Sequence, residues 1–208
     1  REPYYYTTSG GALCAGNPKA LCYTTDARSI TTTYTYDAEN RLTGKSYSNS
    51  DPSVSYYYDQ TSYNSLTIAY GKGRRTGMSD GSGQTAWTFN SDGKVLTEKR
   101  TIASITKSIS YTYNLDGSFR YITYPGGMQI RQDEDAAGRT SAIQCATVTC
   151  SDSRYFGYNA AYSPQGALTS LTLGYIPGGT GITNTYSYNN RLQPENLKAK
   201  YGSSPQVT

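Results

Sequence analysis

Histidine is absent from the 208 residues of the chain. This absence excludes Ser-His-Asp and Cys-His catalysis, imidazole acid-base chemistry and metal sites with histidine ligands. Carboxylates remain, and a glycosidase pair or a calcium site would have to use the acidic run Asp133, Glu134 and Asp135. That run falls at a repeat turn, where acidic side chains are favoured for backbone reasons. We therefore expect no catalytic residue, no metal and no cofactor.

Long apolar runs are missing as well. No stretch approaches the roughly 20 residues needed to span a membrane, and none has apolar residues at helical spacing. Helix is expected for at most a turn or two after Pro194, in PENLKAK. The net charge is +4, but the basic residues are scattered, so we expect neither nucleic-acid binding nor a membrane span. The chain opens at Arg1 without a signal peptide, which predicts a processed form or an internal fragment.

Phenylalanine and tryptophan are scarce, at 3 and 1, whereas tyrosine reaches 23. A tyrosine ring buries a large apolar surface while its hydroxyl needs a hydrogen-bond partner, so tyrosine suits a sheet with one wet edge. The 21 glycines and 8 prolines supply turns. This composition predicts an all-β protein in which tyrosine does much of the packing.

The four cysteines form two close pairs, Cys14 with Cys22 and Cys145 with Cys150. Four cysteines allow three pairings, and spacing favours the two local ones. A four-cysteine zinc site is the alternative, but neither pair has the usual CxxC spacing. We therefore expect two disulfides, which are typical of an oxidising, extracellular compartment.

A motif recurs along the chain, with two aromatic residues at i and i+2, a short polar residue, two variable residues, and then glycine or asparagine. Copies are YTYDAENRL, WTFNSDGKVL, YTYNLDGSF, DEDAAGRT, AYSPQGAL and a shortened YSYNNRL. Residues i and i+2 of a strand point to the same face. The expected aromatic ladder is Tyr34, Tyr36, Trp87, Phe89, Tyr111, Tyr113, Tyr186 and Tyr188. We expect equivalent aromatics to fall in register on adjacent strands.

The polar and small residues of the motif predict turns. A short polar side chain at the first turn position bonds to its own backbone, and glycine or asparagine three residues later tolerates positive φ. The predicted turns are Asp37 to Asn40, Asn90 to Gly93, Asn114 to Gly117, Asp135 to Gly138 and Ser163 to Gly166. The four glycines that close these turns recur every 21 to 28 residues, a spacing that fits two strands in each repeat. We therefore predict an array of antiparallel β-hairpins that forms a long twisted or spiralled sheet.

These copies resemble the YD-repeat, or Rhs-repeat, family, whose motif is an aromatic, any residue, Tyr-Asp, two residues and Gly-Arg-Leu. The segment YTYDAENRL matches this motif closely and AAGRT matches it partly, and the likeness runs from about Tyr34 to about Leu192. The resemblance implies a large secreted or surface protein of bacterial type, whose repeats form a β-strip that is commonly spiralled into a hollow shell. In some members the shell encloses a toxin effector, and related assemblies serve in cell adhesion.

We therefore expect one YD-repeat strip over residues 1–208, with a less regular cysteine-containing region at 1–33, recognisable repeats at 34–192 and a tail at 193–208. The expected role is structural and extracellular or at the cell surface, in a shell, a surface layer or a filament that grows by head-to-tail self-association. One alternative is a carbohydrate-binding or adhesion module that uses exposed tyrosines to hold polysaccharide. Another is a fragment of the encapsulating shell of an Rhs-type toxin.

Overall fold

A computed structural model describes residues 4–147 and 154–202, and nearly all of its regular structure is β-strand. Its elements are β1 Tyr4–Tyr5, a 3-10 turn at Cys14–Gly16, β2 Tyr23–Thr25, β3 Thr31–Tyr36, β4 Leu42–Tyr47, β5 Val54–Tyr58, β6 Ser62–Tyr63, β7 Leu66–Thr67, β8 Arg75–Asp80, β9 Gly83–Phe89, β10 Val95–Ile102, β11 Ile105–Tyr113, β12 Phe119–Thr123, β13 Gln129–Glu134, β14 Thr140–Cys145, β15 Tyr155–Tyr162, β16 Leu168–Tyr175, β17 Ile182–Tyr188 and β18 Pro194–Tyr201. No helix among the described residues is long and apolar enough to cross a membrane.

Sixteen strands follow one another in chain order in a single sheet, from β1 to β18, and β6 and β7 form a separate two-stranded sheet. All the strand pairs described are antiparallel, as in β3 with β4 and β17 with β18. The prediction of an all-β array of antiparallel hairpins is confirmed. The chain divides into two compact units, residues 1–108 and 109–208, which we describe separately.

The first unit places its core under the small hairpin β6–β7, which is inserted between β5 and β8. Ala86 and Thr76 are completely buried, and Ile68, just after β7, is 7% exposed. Asn64, in the β6–β7 turn, donates through Nδ2 to the carbonyl of Lys99 on β10 and accepts through Oδ1 from the hydroxyl of Thr101. The inserted hairpin is therefore fastened across the sheet face that it covers.

The second unit has a thinner core. Ala142 and Cys145 on β14 are the buried apolar side chains, at 9% and 4% exposure. Phe156, Leu173 and Ile182 on the following strands stay 45%, 41% and 45% exposed. Apolar side chains exposed on the face of a sheet are accessible to water or to a partner.

Eight hairpin turns share one backbone pattern. In the Asp37 turn, the N–H of Asn40 donates to the carbonyl of Asp37, and the N–H of Asp37 donates to the carbonyl of Arg41. The same two bonds recur at Asn90, Asn114, Asp135 and Ser163, and also at Asp26, Tyr124 and Asn189. The fourth residue of every turn has positive φ, namely Asn40, Gly93, Gly117, Gly138, Gly166, Ser29, Gly127 and Leu192. The last three turns were missed because Ser29 and Leu192 are poor markers of positive φ and Tyr124 is not a usual turn-opening residue.

The expectation of helix in PENLKAK is wrong. Residues Pro194–Tyr201 form β18, which pairs with β17 in continuous antiparallel register from Ile182 opposite Tyr201 to Ser187 opposite Asn196. The backbone groups of this segment complete a ladder beside β17, and that tertiary pairing overrides a weak local preference for helix.

The cysteines differ in what the structure describes. Cys14 and Cys22 form a disulfide with their Cα atoms 5.5 Å apart, and Cys22 is only 2% exposed. Cys145 is disulfide-bonded as well. Its predicted partner, Cys150, lies outside the described residues.

One prediction follows from the turns. Asn40→Gly should leave the melting temperature nearly unchanged, because Asn40 already has a φ of 61°. Gly117→Val should destabilise the fold by about 1 kcal/mol or more, because a β-branched residue resists the φ of 86° found there. Thermal melts of the two variants measure both effects, and the opposite ranking would contradict this account of the turns.

Candidate functional site

The tyrosine that precedes a turn fastens its hairpin to the one before it. Tyr36 donates its hydroxyl to the carbonyl of Leu21 at 2.9 Å, and Tyr58 donates to the carbonyl of Leu42 at 2.9 Å. In the second unit, Tyr162 and Tyr188 donate to the carbonyls of Thr140 and Leu168, at 2.7 and 2.8 Å. For the last three tyrosines, the acceptor lies five residues after the opening residue of the preceding turn. These bonds recur in both units and satisfy the hydroxyls of these four tyrosines inside the sheet.

An arginine completes the connection. Arg41 donates through Nε to Asp37 Oδ2 at 2.7 Å within its own turn. Its Nη1 lies 2.7 Å from Asp59 Oδ2, at the start of the next connection. The guanidinium carbon lies 4.5 Å from the centre of the Tyr58 ring. A weaker contact joins its Nη2 to Glu39 Oε2 at 3.4 Å. One side chain therefore contacts three carboxylates and a ring that belong to consecutive hairpins.

The second unit repeats this arrangement. Arg139 donates through Nε to Asp135 Oδ2 at 2.8 Å and stacks 4.7 Å from the centre of the Tyr162 ring. Its Nη1 donates to the carbonyl of Ser163, which opens the next turn, at 3.3 Å. We call this set of contacts the brace, defined by Asp37, Arg41, Tyr58 and Asp59 in the first unit and by Asp135, Arg139, Tyr162 and Ser163 in the second.

The electrostatics of the brace follow from its hydrogen bonds. The side chain of Arg41 and the backbone N–H of Gly73 lower the pKa of Asp59. Burial alone would raise the pKa of Asp37, but its bonds from the backbone and side chain of Arg41 outweigh that effect and lower it. Bonds from Arg139 lower the pKa of Asp135, while Asp37 and Asp59 raise the pKa of Arg41. The carboxylates of Asp37, Asp59 and Asp135 and the guanidinium of Arg41 are therefore charged at neutral pH.

The predicted ladder residues make several kinds of contact. Tyr34 lies under Lys45, with Nζ 5.9 Å from the ring centre, and Trp87 and Phe89 lie under Arg75 and Arg74, at 5.1 and 5.6 Å. Both Tyr111 and Tyr113 contact Phe119 on β12, with ring centres 5.9 and 5.1 Å apart. Tyr186 and Tyr188 line an open cleft of about 410 Å³.

The expectation that equivalent aromatics lie on adjacent strands is wrong. Tyr36 is on β3 and Tyr58 on β5, with β4 between them, and β10 likewise separates β9 from β11. One motif for each hairpin puts equivalent positions two strand spacings apart, roughly 9.5 Å, which is too far for ring contact. In each brace, an arginine that directly precedes the intervening strand contacts the ring of the later tyrosine, Arg41 that of Tyr58 and Arg139 that of Tyr162.

The opening residues of the predicted turns bond as short polar side chains should. Asp37 and Asp135 accept backbone bonds four residues on, from Arg41 and Arg139, at 2.9 and 3.0 Å. Asn90 accepts from the N–H of Lys94 at 2.8 Å, and the hydroxyl of Ser163 accepts from the N–H of Ala167 at 3.2 Å. Asn114 instead donates from Nδ2 to the hydroxyl of Ser118 at 2.9 Å.

No role was predicted for Arg41 or Arg139. Both stand immediately after the positive-φ residue of a turn, in NRL and GRT. An arginine at that spacing from the turn-opening aspartate was the available signal. Its contacts with the next hairpin could not be read from one repeat, because they depend on how hairpins lie side by side.

In the acidic run Asp133, Glu134 and Asp135, which was considered as a catalytic or calcium site, two carboxylates bond to arginine side chains. Asp133 pairs with Arg131 at 2.8 Å, and Asp135 belongs to the brace. Within residues 4–147 and 154–202, no group of three or more cysteine, aspartate or glutamate side chains is placed to hold a metal ion.

Arg41→Gln should lower the urea midpoint clearly, because it removes three ion-pair contacts and a ring contact. Arg28→Gln is the matched control. Among the described residues Arg28 forms an ion pair only with Asp26, and its side chain is 77% exposed, so its loss should lower the midpoint much less. Urea denaturation compares the two variants, and equal losses would contradict a bracing role for Arg41.

The brace also predicts acid sensitivity. The pKa values of Asp37, Asp59 and Asp135 are lower in the folded chain than in an unfolded one. As the pH falls from about 5 through the ordinary carboxyl range near 4, the unfolded state therefore binds more protons than the folded state does. The free energy of unfolding falls progressively until the pH has dropped through the lowered pKa values of the folded chain. Urea midpoints between pH 7 and pH 3 measure this loss. Arg41→Gln should flatten the curve, and an unchanged slope would contradict the assignment.

Comparison with known proteins agrees with this geometry. Residues 15–52 match the family described as RHS Repeat, and this segment contains the first brace turn, Asp37 to Arg41. No curated protein sequence matches the chain significantly.

Solved structures share the fold at low sequence identity. The crystal structure of TcdB2-TccC3 without its hypervariable C-terminal region superposes with a TM-score of 0.73 at 14% identity, over 96% of this chain and 10% of that one. Crystal structures of TcdB2-TccC3-Cdc42 and TcdB2-TccC3-TEV give the same TM-score and identity over 96% and 98% of this chain. The chain thus spans about a tenth of the length of these structures. Residues 15–52 thus match the RHS Repeat family, and the chain shares the fold of these structures, a sheet of antiparallel hairpins.

Proposed function

We propose that this chain is a non-catalytic, extracellular structural scaffold, a stretch of wall in a shell, surface layer or filament. The brace is the observation that carries the proposal. In each brace the tyrosine, aspartate and arginine side chains that could bind or transform a ligand bond instead within the turn or to a neighbouring hairpin of the same sheet. A sheet whose neighbouring hairpins are joined in this way is suited to extension and load rather than to chemistry at one point.

Two further observations support the proposal. The solved structures that share the fold are about ten times longer than this chain, which fits a segment of a larger wall, such as the encapsulating shell of an Rhs-type toxin. The disulfide between Cys14 and Cys22 suits an oxidising, extracellular or cell-surface location.

The terminal strand offers a means of extension. β18 is eight residues long and pairs with β17 on one side. The backbone groups on the outer edge of such a strand are a template for another strand. We propose that this edge continues the wall, either within a longer polypeptide or, in the isolated chain, by head-to-tail pairing with β1 of a second copy.

Electron microscopy and sedimentation velocity of the purified chain test the proposal. We expect assembly that increases with protein concentration, and a monodisperse monomer at high concentration would overturn it. Leu197→Pro and Lys198→Pro form a matched pair, since the N–H groups of consecutive strand residues point to opposite edges. One of the two variants should block assembly while leaving the β17–β18 pairing intact. Assembly by both would show that the outer edge is not used.

An open cleft in the second unit favours a second candidate, binding of polysaccharide. Tyr186, Asn190 and Gln165 are among the residues that line its roughly 410 Å³. An aromatic face beside amide groups suits a sugar ring, which offers apolar C–H groups on one side and hydroxyls at its rim. Glycan-array binding that Tyr186→Ala abolishes without changing the melting temperature would support this candidate, and the absence of glycan binding by the wild-type chain would reject it.

A further inference from the structure

Two pairs of tyrosine rings lie face to face on neighbouring strands, one pair in each unit. Tyr5 on β1 and Tyr23 on β2 are cross-strand partners, and their ring centres are 4.3 Å apart with 12° between the ring planes. Tyr158 on β15 and Tyr175 on β16 lie in the same way, with ring centres 4.5 Å apart at 12°. We call these the stacked pairs. The sheet holds each pair in place, because both rings are anchored to strands that are paired with each other.

The stacked geometry matters because of how phenols react when they are oxidised. A tyrosine that loses one electron and its hydroxyl proton becomes a phenoxyl radical, whose unpaired electron is shared between the oxygen and ring carbons that include the two Cε atoms. The orbital that holds this electron extends perpendicular to the ring plane. In a stacked pair the Cε atoms of one ring therefore face the other ring. The rings of Tyr57 and Tyr63 are 4.6 Å apart but inclined at 33°, which reduces this overlap.

The Tyr5–Tyr23 pair is accessible and lies beside a bond that is itself a product of oxidation. Tyr5 is 39% exposed and Tyr23 is half-buried, so a dissolved oxidant reaches the first ring while packing holds the second. Cys22, the residue before Tyr23, forms the disulfide with Cys14. Disulfides form and persist in oxidising surroundings. The same surroundings favour the oxidation of a nearby phenol.

A covalent bond between the rings would fasten a strand that has little else to hold it. β1 is paired with β2 at only two positions, Tyr4 opposite Thr24 and Tyr5 opposite Tyr23, and Tyr4 is 59% exposed. Two-residue pairings at the edge of a sheet open easily, because few backbone bonds must break. Coupling of Tyr5 to Tyr23 would keep β1 on the sheet even when those backbone bonds open.

We propose that the two stacked pairs are sites of oxidative ring coupling, each yielding one dityrosine within the chain. The oxidant is hydrogen peroxide acting through a haem peroxidase. Each ring gives up one electron and one hydroxyl proton, and the two radicals form a C–C bond between one Cε atom of each ring. The hydrogens on the joined Cε atoms then move as protons to the two oxygens, which restores both phenols. The two electrons and two protons that were released reduce the peroxide to two water molecules. This modification goes beyond the scaffold role and does not depend on assembly.

Peroxidase and hydrogen peroxide added to the dilute, intact chain test the proposal. We expect the blue fluorescence of dityrosine, a mass lower by two hydrogen atoms for each link, and a product that remains a monomer on a denaturing gel. Mass spectrometry of proteolytic fragments should find Tyr5 joined to Tyr23 and Tyr158 joined to Tyr175. A link between Tyr57 and Tyr63 should be about tenfold rarer, because those rings are poorly oriented.

Two conservative variants serve as controls for each other. Phenylalanine keeps the ring but has no hydroxyl to form a phenoxyl radical, so Tyr5→Phe should lose only the link to Tyr23, and Tyr158→Phe only the link to Tyr175. Unchanged melting temperatures before oxidation show that both variants are folded. Absence of either link from the wild-type chain, or an equally frequent Tyr57–Tyr63 link, would overturn the proposal. Links that form mainly between copies and disappear on dilution would overturn it as well.

Discussion

Gly83→Ala is expected to destabilise the first unit by about 3 kcal/mol or more. Gly83 begins β9 with a φ of 150°, and an added Cβ would lie 1.9 Å from the carbonyl oxygen of Thr101. The obstacle is backbone rather than a flexible side chain, because Gly83 pairs with Ile102 at the end of β10. The strands must separate there or the turn that Asp80 opens must be rebuilt.

Urea denaturation and hydrogen exchange of β9 and β10 measure this effect. Gly126→Ala is the matched control, since Gly126 lies in a turn with no heavy atom within 4 Å of an added Cβ and no positive φ. That variant should be unchanged or more stable by about 0.4–1 kcal/mol. A loss in Gly126→Ala equal to that in Gly83→Ala would contradict the geometric explanation.

Gly77→Ala is expected to displace the inserted hairpin β6–β7, at a cost of about 1–3 kcal/mol. Its Cβ would enter the ring of Tyr63 at 2.5 Å. Ala86, the cross-strand partner of Gly77, and Ile68, just after β7, are buried in the same unit, at 0% and 7% exposure. Amide hydrogen exchange should therefore accelerate across residues 59–74, and the melting temperature should fall.

Gly157→Ala provides the contrast for this second prediction. Its Cβ meets only Leu171, at 3.4 Å, so the variant should fold with little loss. In a Tyr63→Ala background, Gly77→Ala should cost much less than it does alone, because the obstacle is gone. An undiminished loss in that background would show that Tyr63 is not the reason Gly77 must be glycine.

The brace gives the YD motif a physical reason. In YTYDAENRL the aspartate holds the turn, and the arginine reaches from that turn to the next hairpin. In the first brace, Tyr58 beside Asp59 receives the arginine of the preceding hairpin and returns its hydroxyl to Leu42. A phenylalanine ring would pack equally well at this position but could not donate the hydrogen bond to the preceding hairpin, and this explains the use of tyrosine. The spacing of the motif therefore follows from the contacts between two neighbouring hairpins.

Local chemistry explains how much of the fold could be predicted. Asp37, Asn90 and Ser163 specify turns through bonds to residues four positions away, so a single repeat contains the whole signal. Alternating aromatics such as Tyr34 and Tyr36 specify strands for the same reason. The PENLKAK segment was the exception, because its strand state depends on β17 and not on its own residues.

Turn residues, strand alternation and their period are properties of neighbouring residues, so they predict an array of antiparallel β-hairpins from the amino-acid sequence. Which side chains join the hairpins, and why Gly77 carries the ring of Tyr63, became clear only from the folded sheet. Those outcomes depend on register between strands and on atoms that are distant in the chain, because Arg41 meets Asp59, and Leu173 meets Ile182, only after the sheet has formed.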